Sequence, residues 1–257
     1  MKFTLNGKEI EYNGDLDLTL LKFIRGEMNI ISPKEGCSGQ GYCGSCTVLI
    51  DDRPTLSCVT KMSKIEGKKI VTTEGLDKKI QEIFSLAFVE KGGIQCGFCT
   101  PGIVMTASAL LKNNPHPTRE DVIKSINHHL CRCTGYHKIV DSIIYASEII
   151  RGLAPIPTTA RLAAQAKLGD SQPKYDSYKT VLGHRPYVCD LKVPNMHHGA
   201  LKLSDHPRAR ILNIDTNEAE KIPGVLLFMK FTLNGKEIEY NGDLDLTLLK
   251  FIRGEMN

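Results

Sequence analysis

The sequence has no tryptophan, no long apolar run and little excess charge, and the last two absences each exclude a class of protein. No segment approaches the roughly 18 apolar residues that a membrane-spanning helix needs. The first twelve residues alternate polar and apolar side chains and lack the apolar core of a signal peptide. The net charge is only +4 over 257 residues, with basic and acidic side chains interspersed, which argues against a nucleic-acid-binding surface. We therefore expect no membrane association, no nucleic-acid partner and a cytoplasmic location.

Cysteine, by contrast, is abundant, with nine residues. Without an export signal the compartment is expected to be reducing, and clustered cysteines then favour metal binding over disulfides. Eight of the nine fall into two sets of four: Cys37, Cys43, Cys46 and Cys58 form the first set, and Cys96, Cys99, Cys131 and Cys133 form the second. Each set could supply the four thiolates of an iron–sulfur cluster.

The spacing within the sets separates two kinds of metal site. The first set reads C-x5-C-x2-C-x11-C, close to the C-x4-C-x2-C and distant fourth cysteine of plant-type [2Fe–2S] sites. Gly39, Gly41 and Gly44 would let this loop bend tightly around a cluster. The second set pairs a C-x-x-C with a C-x-C 31 residues later. A structural zinc site is the alternative, because it also uses C-x-x-C, but zinc sites usually repeat that pair on both sides.

Hydrophobic periodicity predicts an α+β domain over residues 1–75. Alternating residues around Asn6-Gly7 predict a hairpin. A helix over residues 18–24, with Gly26 as its C-cap, precedes the first cysteine loop. Residues 47–50 and 69–72 read as strands, with residues 51–54 as the turn after the first of them.

From residue 76 the period becomes helical and predicts an all-α domain of four helices over residues 76–152. Gly92-Gly93 ends the first helix, and Pro101 suits the first turn of the second. Thr118 and Asp121 resemble a capping box for the third. The fourth is expected over residues 136–151.

The remaining sequence is less regular. Residues 153–180 read as a linker, and residues 181–228 begin a partial α/β segment with strands over 209–215 and 225–228 and a short helix near 217–221. Residues 229–257 repeat residues 1–29 letter for letter. Structural repeats are similar rather than identical and occur several times. We therefore interpret this copy as a cloning or assembly artefact without function of its own.

The motifs EGCSGQGYCGSCTVLIDDRPTLSC, QCGFCTPG and LCRCTGY resemble the iron–sulfur domains of the xanthine dehydrogenase/aldehyde oxidase family of molybdenum hydroxylases. The resemblance covers residues 1–151 and implies a β-grasp ferredoxin-like domain followed by a helical [2Fe–2S] domain. Residues 181–228 resemble the start of the family's molybdenum-binding domain. The cysteine spacing predicts two iron–sulfur clusters, and the resemblance implies that they are [2Fe–2S] clusters that carry electrons from a molybdopterin centre to an external acceptor.

The resemblance also implies further cofactor contacts and partners. Gln95, through its amide, and Cys133, as a cluster ligand, would lie beside the pterin. Molybdopterin, as the cytosine dinucleotide, would be bound by the missing part of the domain or by a partner subunit. A flavin-containing subunit or another acceptor would receive the electrons. The substrate pocket and catalytic carboxylate would lie beyond Phe228, so no catalytic residue is assigned to this chain.

Three details depart from the family pattern or stand outside the two sets. Five residues separate Cys37 from Cys43 where four are usual, which resembles forms fused to their molybdenum domain. His128-His129 stands where Gly-Asn is more common, and we expect these histidines at the surface without a metal. Cys189, the ninth cysteine, is expected to be a buried or half-buried structural thiol. Apart from the zinc module, the remaining alternative is a stand-alone ferredoxin-like carrier.

Overall fold

The computed structural model describes residues 1–157, 172–194, 196, 199, 205–208, 215–225, 230–233 and 236–239. The chain divides into two units, Met1–Leu191 and Lys192–Asn257. Both cysteine sets lie in the first unit. A membrane span needs about 18 consecutive apolar residues in a helix, and none of the helices in the described part of the chain supplies them.

A five-stranded sheet forms the N-terminal part of the first unit. Its strands are β1 Lys2–Leu5, β2 Lys8–Glu11, β3 Thr47–Ile50, β4 Arg53–Leu56 and β5 Lys69–Val71. Their order in the sheet is β2-β1-β5-β3-β4. Strand β1 runs parallel to β5, and the other neighbours are antiparallel. Asn6 and Gly7 both have positive φ, 51° and 80°, as the predicted two-residue hairpin requires.

The turn predicted over residues 51–54 is shorter than expected. Asp51 and Asp52 alone form it, with φ of 49° and 64°, and Arg53 and Pro54 already pair with β3. Pro54 is tolerated there because β4 is an edge strand, where a missing N–H leaves no ladder partner unsatisfied.

Helix α1, Leu20–Gly26, covers one face of this sheet. Phe23 is buried and meets the rings of Phe3 and Tyr12 edge-on at centroid distances of 5.6 and 5.1 Å. The predicted C-cap at Gly26 is wrong by one residue. The cap is Glu27 in the right-handed region, so the helix end needs no glycine.

From residue 78 the chain forms the helices α2 Lys78–Lys91, α3 Thr100–Asn113, α4 Arg119–Ile126 and α5 His137–Ile150. Three predicted end signals are confirmed. Gly92 adopts the left-handed conformation at the end of α2, Pro101 lies in the first turn of α3, and Thr118 and Asp121 form a reciprocal capping box on α4. Tyr136 caps α5 instead of starting it.

The segment after α5 returns to these helices. Residues 158–171 of the expected linker lie outside the described residues. Ser177 to Thr180, assigned above to the linker, are helical and belong to α6, Ser177–Val181. Val181 and Leu182 join the buried core of α2, α3 and α5, which explains why this short stretch orders.

In the second unit, helix α7, Asn217–Glu220, matches the predicted short helix. The strand predicted over 225–228 lies outside the described residues except for Val225, and the strand over 209–215 does so except for Asp215. Strands β6, Lys230–Leu233, and β7, Lys236–Glu239, pair Lys230 with Glu239, as β1 pairs Lys2 with Glu11. The repeated sequence therefore forms the same hairpin register.

Candidate metal centres

The first cysteine set lies on the loop between α1 and β3 and on the turn after β4. Gly39, Gly41 and Gly44 have φ of 77°, 77° and 72°. These backbone angles are strained for residues with a Cβ, so the glycines permit the tight path anticipated from the sequence. The loop closes because the Lys34 amide donates to the Ser45 carbonyl at 3.0 Å.

The four thiols of this set meet in two pairs. The thiols of Cys37 and Cys43 are neighbours that influence each other's pKa, and so are those of Cys46 and Cys58. Cys43, Cys46 and Cys58 are buried, whereas Cys37 is half-buried. All nine cysteines are free thiols, so no disulfide competes with metal binding.

The electrostatic environment of Cys37 makes this thiol more acidic than an ordinary cysteine. Burial alone would raise the pKa of Cys37, but backbone amides of Tyr42, Cys43 and Gln40 and the Cys43 thiol donate hydrogen bonds to it and lower the pKa to about 7. Burial and then contact with Cys46 raise the pKa of Cys58 to about 12. Backbone amides that donate to a sulfur atom stabilise negative charge on a thiolate, and they would stabilise the charge of a bound cluster in the same way.

The second set is assembled from two helix starts. Cys99 is the N-cap residue of α3, and Cys96 precedes it. Cys131 and Cys133 lie on the turn before α5. Cys96 contacts Cys133, and Cys99 contacts Cys131, so these thiols also form two pairs.

Burial differs across the second set. Cys99 and Cys131 are buried, while Cys96 and Cys133 are exposed. Burial raises the pKa of Cys99 and of Cys96. It would also raise the pKa of Cys131, but hydrogen bonds led by those of Thr134 lower it.

Thr134 and Tyr136 shape the C-x-C turn and were not anticipated from the sequence. The Tyr136 hydroxyl accepts from the Cys131 amide at 2.8 Å and donates to the His129 carbonyl at 3.0 Å. The Thr134 hydroxyl lies 3.2 Å from the Cys131 sulfur. Their positions directly after C-x-C were the available signal, because a turn of this kind needs local side-chain partners.

The pairwise arrangement of the thiols matches the donor set of a two-iron cluster. The neighbouring pairs are Cys37 with Cys43, Cys46 with Cys58, Cys96 with Cys133 and Cys99 with Cys131. A zinc site built only from cysteines requires four thiolates around one ion. In a [2Fe–2S] site built only from cysteines, two thiolates suffice for each iron. The donor set therefore fits two [2Fe–2S] clusters.

The two sets are joined through the backbone. The Leu130 amide, next to Cys131, donates to the Cys43 carbonyl at 3.0 Å. Gly102 on α3 approaches Gly44 so closely that an added Cβ would lie 2.4 Å from the Gly44 carbonyl oxygen. One hydrogen bond thus connects a cysteine of the first set to the neighbour of a cysteine of the second.

The surface position expected for His128-His129 is wrong for His129. Its side chain is only 2% exposed, and its Nε2 lies 2.8 Å from the Thr106 hydroxyl. The imidazole packs against Gly44, where an added Cβ would lie 2.4 Å from Nδ1. Burial, and then His128, lower the pKa of His129 to about 3, so the ring is neutral. The missing side chain at Gly44 makes this burial possible.

The predictions made for Gln95 and Cys189 have different outcomes. Gln95 is exposed next to the exposed Cys96, and its assignment to a pterin remains a prediction. The buried or half-buried position expected for Cys189 is wrong, because this thiol is exposed. Cys189 lies on a single 3-10 turn, Val188–Asp190. The residue of this turn that points inward is Asp190, whose carboxylate contacts the Lys34 ammonium.

Fold and cysteine geometry define a protein with two iron–sulfur domains, and comparisons with known proteins agree. Residues 8–83 match the 2Fe-2S iron-sulfur cluster binding domain and residues 72–144 the [2Fe-2S] binding domain. Residues 182–244 match the aldehyde oxidase and xanthine dehydrogenase a/b hammerhead domain. The chain therefore belongs to the xanthine dehydrogenase/aldehyde oxidase family of molybdenum hydroxylases.

Individual relatives show how much of a family member is present. The nicotinate dehydrogenase small FeS subunit of Eubacterium barkeri is 38% identical over 149 residues, which are 58% of this chain and 94% of that subunit. The aldehyde oxidoreductase of Megalodesulfovibrio gigas is 36% identical over 232 residues, 86% of this chain but 25% of its own length. The aldehyde oxidoreductase structure from Desulfovibrio desulfuricans matches with a TM-score of 0.79 and 33% identity over 89% of this chain and 26% of its own. The chain thus spans about a quarter of these oxidoreductases.

Proposed function

We propose that this chain carries electrons through two [2Fe–2S] clusters, from a molybdopterin centre to an external acceptor, as the iron–sulfur part of a molybdenum hydroxylase. The observation that carries the proposal is the sorting of eight free thiols into four contact pairs, two in each domain. Each cluster, when bound, accepts and releases one electron. In this proposal the first domain is a β-grasp ferredoxin-like domain and the second a four-helix domain.

The residues of the chain have distinct tasks in this function. Cys37, Cys43, Cys46 and Cys58 would hold the first cluster, and Cys96, Cys99, Cys131 and Cys133 the second. The amides directed at Cys37 stabilise negative charge on the first set. The N-terminus of α3 does the same beside Cys99. The hydrogen bond from Leu130 to Cys43 holds the two sets in contact through the backbone.

The exposed edge of the second set is where we place the molybdenum partner. Cys96 and Cys133 are exposed there, as is Gln95. We propose that Gln95 and Cys133 contact the pterin of molybdopterin cytosine dinucleotide, held by a molybdenum-binding domain or subunit. A flavin-containing subunit or another acceptor would receive the electrons. Substrate binding and hydroxylation would belong to the molybdenum part, and this chain would not hydroxylate a substrate alone.

Metal content and spectroscopy test the proposal directly. The full chain, purified without oxygen or reconstituted with iron and sulfide, should contain about four irons and four sulfides. Its visible absorption should bleach with dithionite, and the reduced protein should give two distinct EPR signals. A colourless protein that binds one zinc ion per cysteine set would contradict the proposal and support the structural zinc module.

A second measurement separates a hydroxylase component from a stand-alone ferredoxin-like carrier. Co-expression with a molybdenum-binding subunit of a relative should yield a complex that contains molybdenum. A matched variant with Gln95→Ala should bind the subunit less tightly while keeping both EPR signals. Two intact clusters with no complex would support the stand-alone carrier instead.

A further inference from the structure

The segment that follows the helical domain packs back onto both cysteine loops. The a/b hammerhead match begins at residue 182, yet residues up to Leu191 belong to the unit that starts at Met1. Val181 and Leu182 are buried among the helices, and the Leu182 carbonyl accepts from the Thr73 hydroxyl at 2.6 Å. The start of the hammerhead match is therefore physically part of the iron–sulfur unit.

Asp190 fixes this segment to the loop of the first cysteine set. Its side chain is 0% exposed and accepts from the fully buried Lys34 ammonium at 3.0 Å and from Arg25. Arg25 also donates to the carbonyls of Ile31 and Pro33 at 3.3 and 2.9 Å. Lys34 stands three residues before Cys37. A buried charge pair of this kind is costly to break, because either partner alone would remain desolvated.

Tyr187 fixes the same segment to the loop of the second set. Its hydroxyl donates to the Cys96 carbonyl at 2.6 Å, and its ring meets Phe98 edge-on at 5.4 Å. The Lys34 ammonium lies 4.8 Å from the centre of the same ring. The Tyr187 backbone amide donates to the Asp190 carboxylate at 2.9 Å. One side chain thus touches both cysteine loops.

Close packing at Gly97 shows how tightly this segment covers the second loop. A Cβ added at Gly97 would lie 2.1 Å from the Thr180 methyl group, and Gly97 has a φ of 82°.

We propose that residues 176–190 form a clamp that fixes the two cluster-binding loops relative to each other, with Tyr187 as the positioning residue for Cys96 and Asp190 as the anchor on Lys34. The clamp rests on the proposed function, because its purpose is to orient cluster ligands. It gives the connection to the molybdenum part a direct influence on the second cluster. That influence runs through a ligand's own peptide group, where hydrogen bonds tune a metal centre.

The Tyr187→Phe variant of the full chain tests the positioning role. Removal of one donor beside Cys96 should shift the reduction equilibrium of the second cluster about threefold to tenfold toward the oxidised form, where tenfold corresponds to 59 mV for one electron. The first cluster should keep its potential. Tyr175→Phe, at a residue 80% exposed, is the matched control and should change neither. EPR-monitored redox titration reads both clusters in one sample.

Hydrogen exchange tests the anchor independently of the potentials. Asp190→Asn should speed exchange of the amides in residues 30–36 and 95–98 at least tenfold, while the core of α2 and α5 stays protected. Asp17→Asn, which removes the exposed pair with Lys61, should leave both loops unchanged.

The outcomes separate this inference from the proposed function. Loss of the proposed function would appear as wild-type protein without two [2Fe–2S] signals. The clamp alone is overturned if wild type shows both signals and Tyr187→Phe leaves both potentials unchanged or shifts them equally. It is also overturned if Asp190→Asn leaves exchange in both loops at the wild-type rate.

Discussion

The two cysteine sets are equal in number but built in different ways. Three cysteines of the first set lie on a loop whose path depends on three glycines with positive φ, and the fourth follows β4. The second is carried by helix starts that a shared core of α2, α3 and α5 already holds in place. A loop of the first kind gains its order largely from the metal, whereas a site of the second kind is pre-organised by packing. The two domains should therefore respond differently to the same perturbation.

Removal of one ligand from each set gives the largest expected effect. Cys43→Ser should abolish the EPR signal of the first cluster and leave the second, and Cys99→Ser should do the reverse. The reason is that each thiol pairs only within its own set. Iron analysis should show about half of the wild-type content in each variant. Loss of both signals from either change would mean that the domains do not assemble independently.

Iron removal should sharpen the contrast between loop and helices. After chelation, amides of residues 36–46 should exchange close to the unfolded rate, because metal binding there is coupled to loop order. Amides in the middle of α2, α3 and α5 should stay protected, since their core is apolar and buried. Hydrogen-exchange mass spectrometry of the two forms measures this. Equal loss of protection in the helices would show that both cysteine sets depend on the metal for their order.

A glycine in each region provides a matched pair of smaller changes. Gly44→Ala should destabilise the protein by about 2–4 kcal/mol, because it adds left-handed strain and overpacking against His129. Gly135→Ala, at φ 65° with open space around it, should cost only about 1 kcal/mol. Denaturant unfolding of both variants gives the two values. Equal costs would show that strain, and not the contact between domains, dominates at Gly44.

The smallest expected effect tests a helix end in the second region. Thr118→Ala should remove the capping box of α4 and cost about 1 kcal/mol. Both cluster signals should persist, because α4 carries no cysteine. A thermal melt followed by far-UV circular dichroism measures the change, and Thr118→Ser should recover most of it.

Local sequence signals predicted much of this structure. The Asn6-Gly7 hairpin, the Gly92 helix end and the Thr118 capping box each depend on contacts within a few residues, and all are confirmed. The grouping of the cysteines also came from spacing. Some local details were missed, such as the Glu27 helix cap and the Thr134 hydroxyl beside Cys131, but the missed contacts that bury charged or titratable side chains are non-local. His129 is buried because Gly44 leaves room for it, and Asp190 meets Lys34 across 156 positions. Neither contact can be predicted from the hydrophobic periodicity of the segments that form it.

The repeated hairpin shows how little context that part of the chain requires. Strands β6 and β7 reach the register of β1 and β2 as a two-stranded sheet. About ten consecutive residues are thus enough to specify the register of the two strands. Hairpins of this size close within roughly 1–10 μs. We expect this hairpin to form early in the folding of the N-terminal domain. Pairing of β5 with β1 joins residues that are far apart in sequence, so it should form later, and the second copy of the hairpin should compete for that partner during refolding.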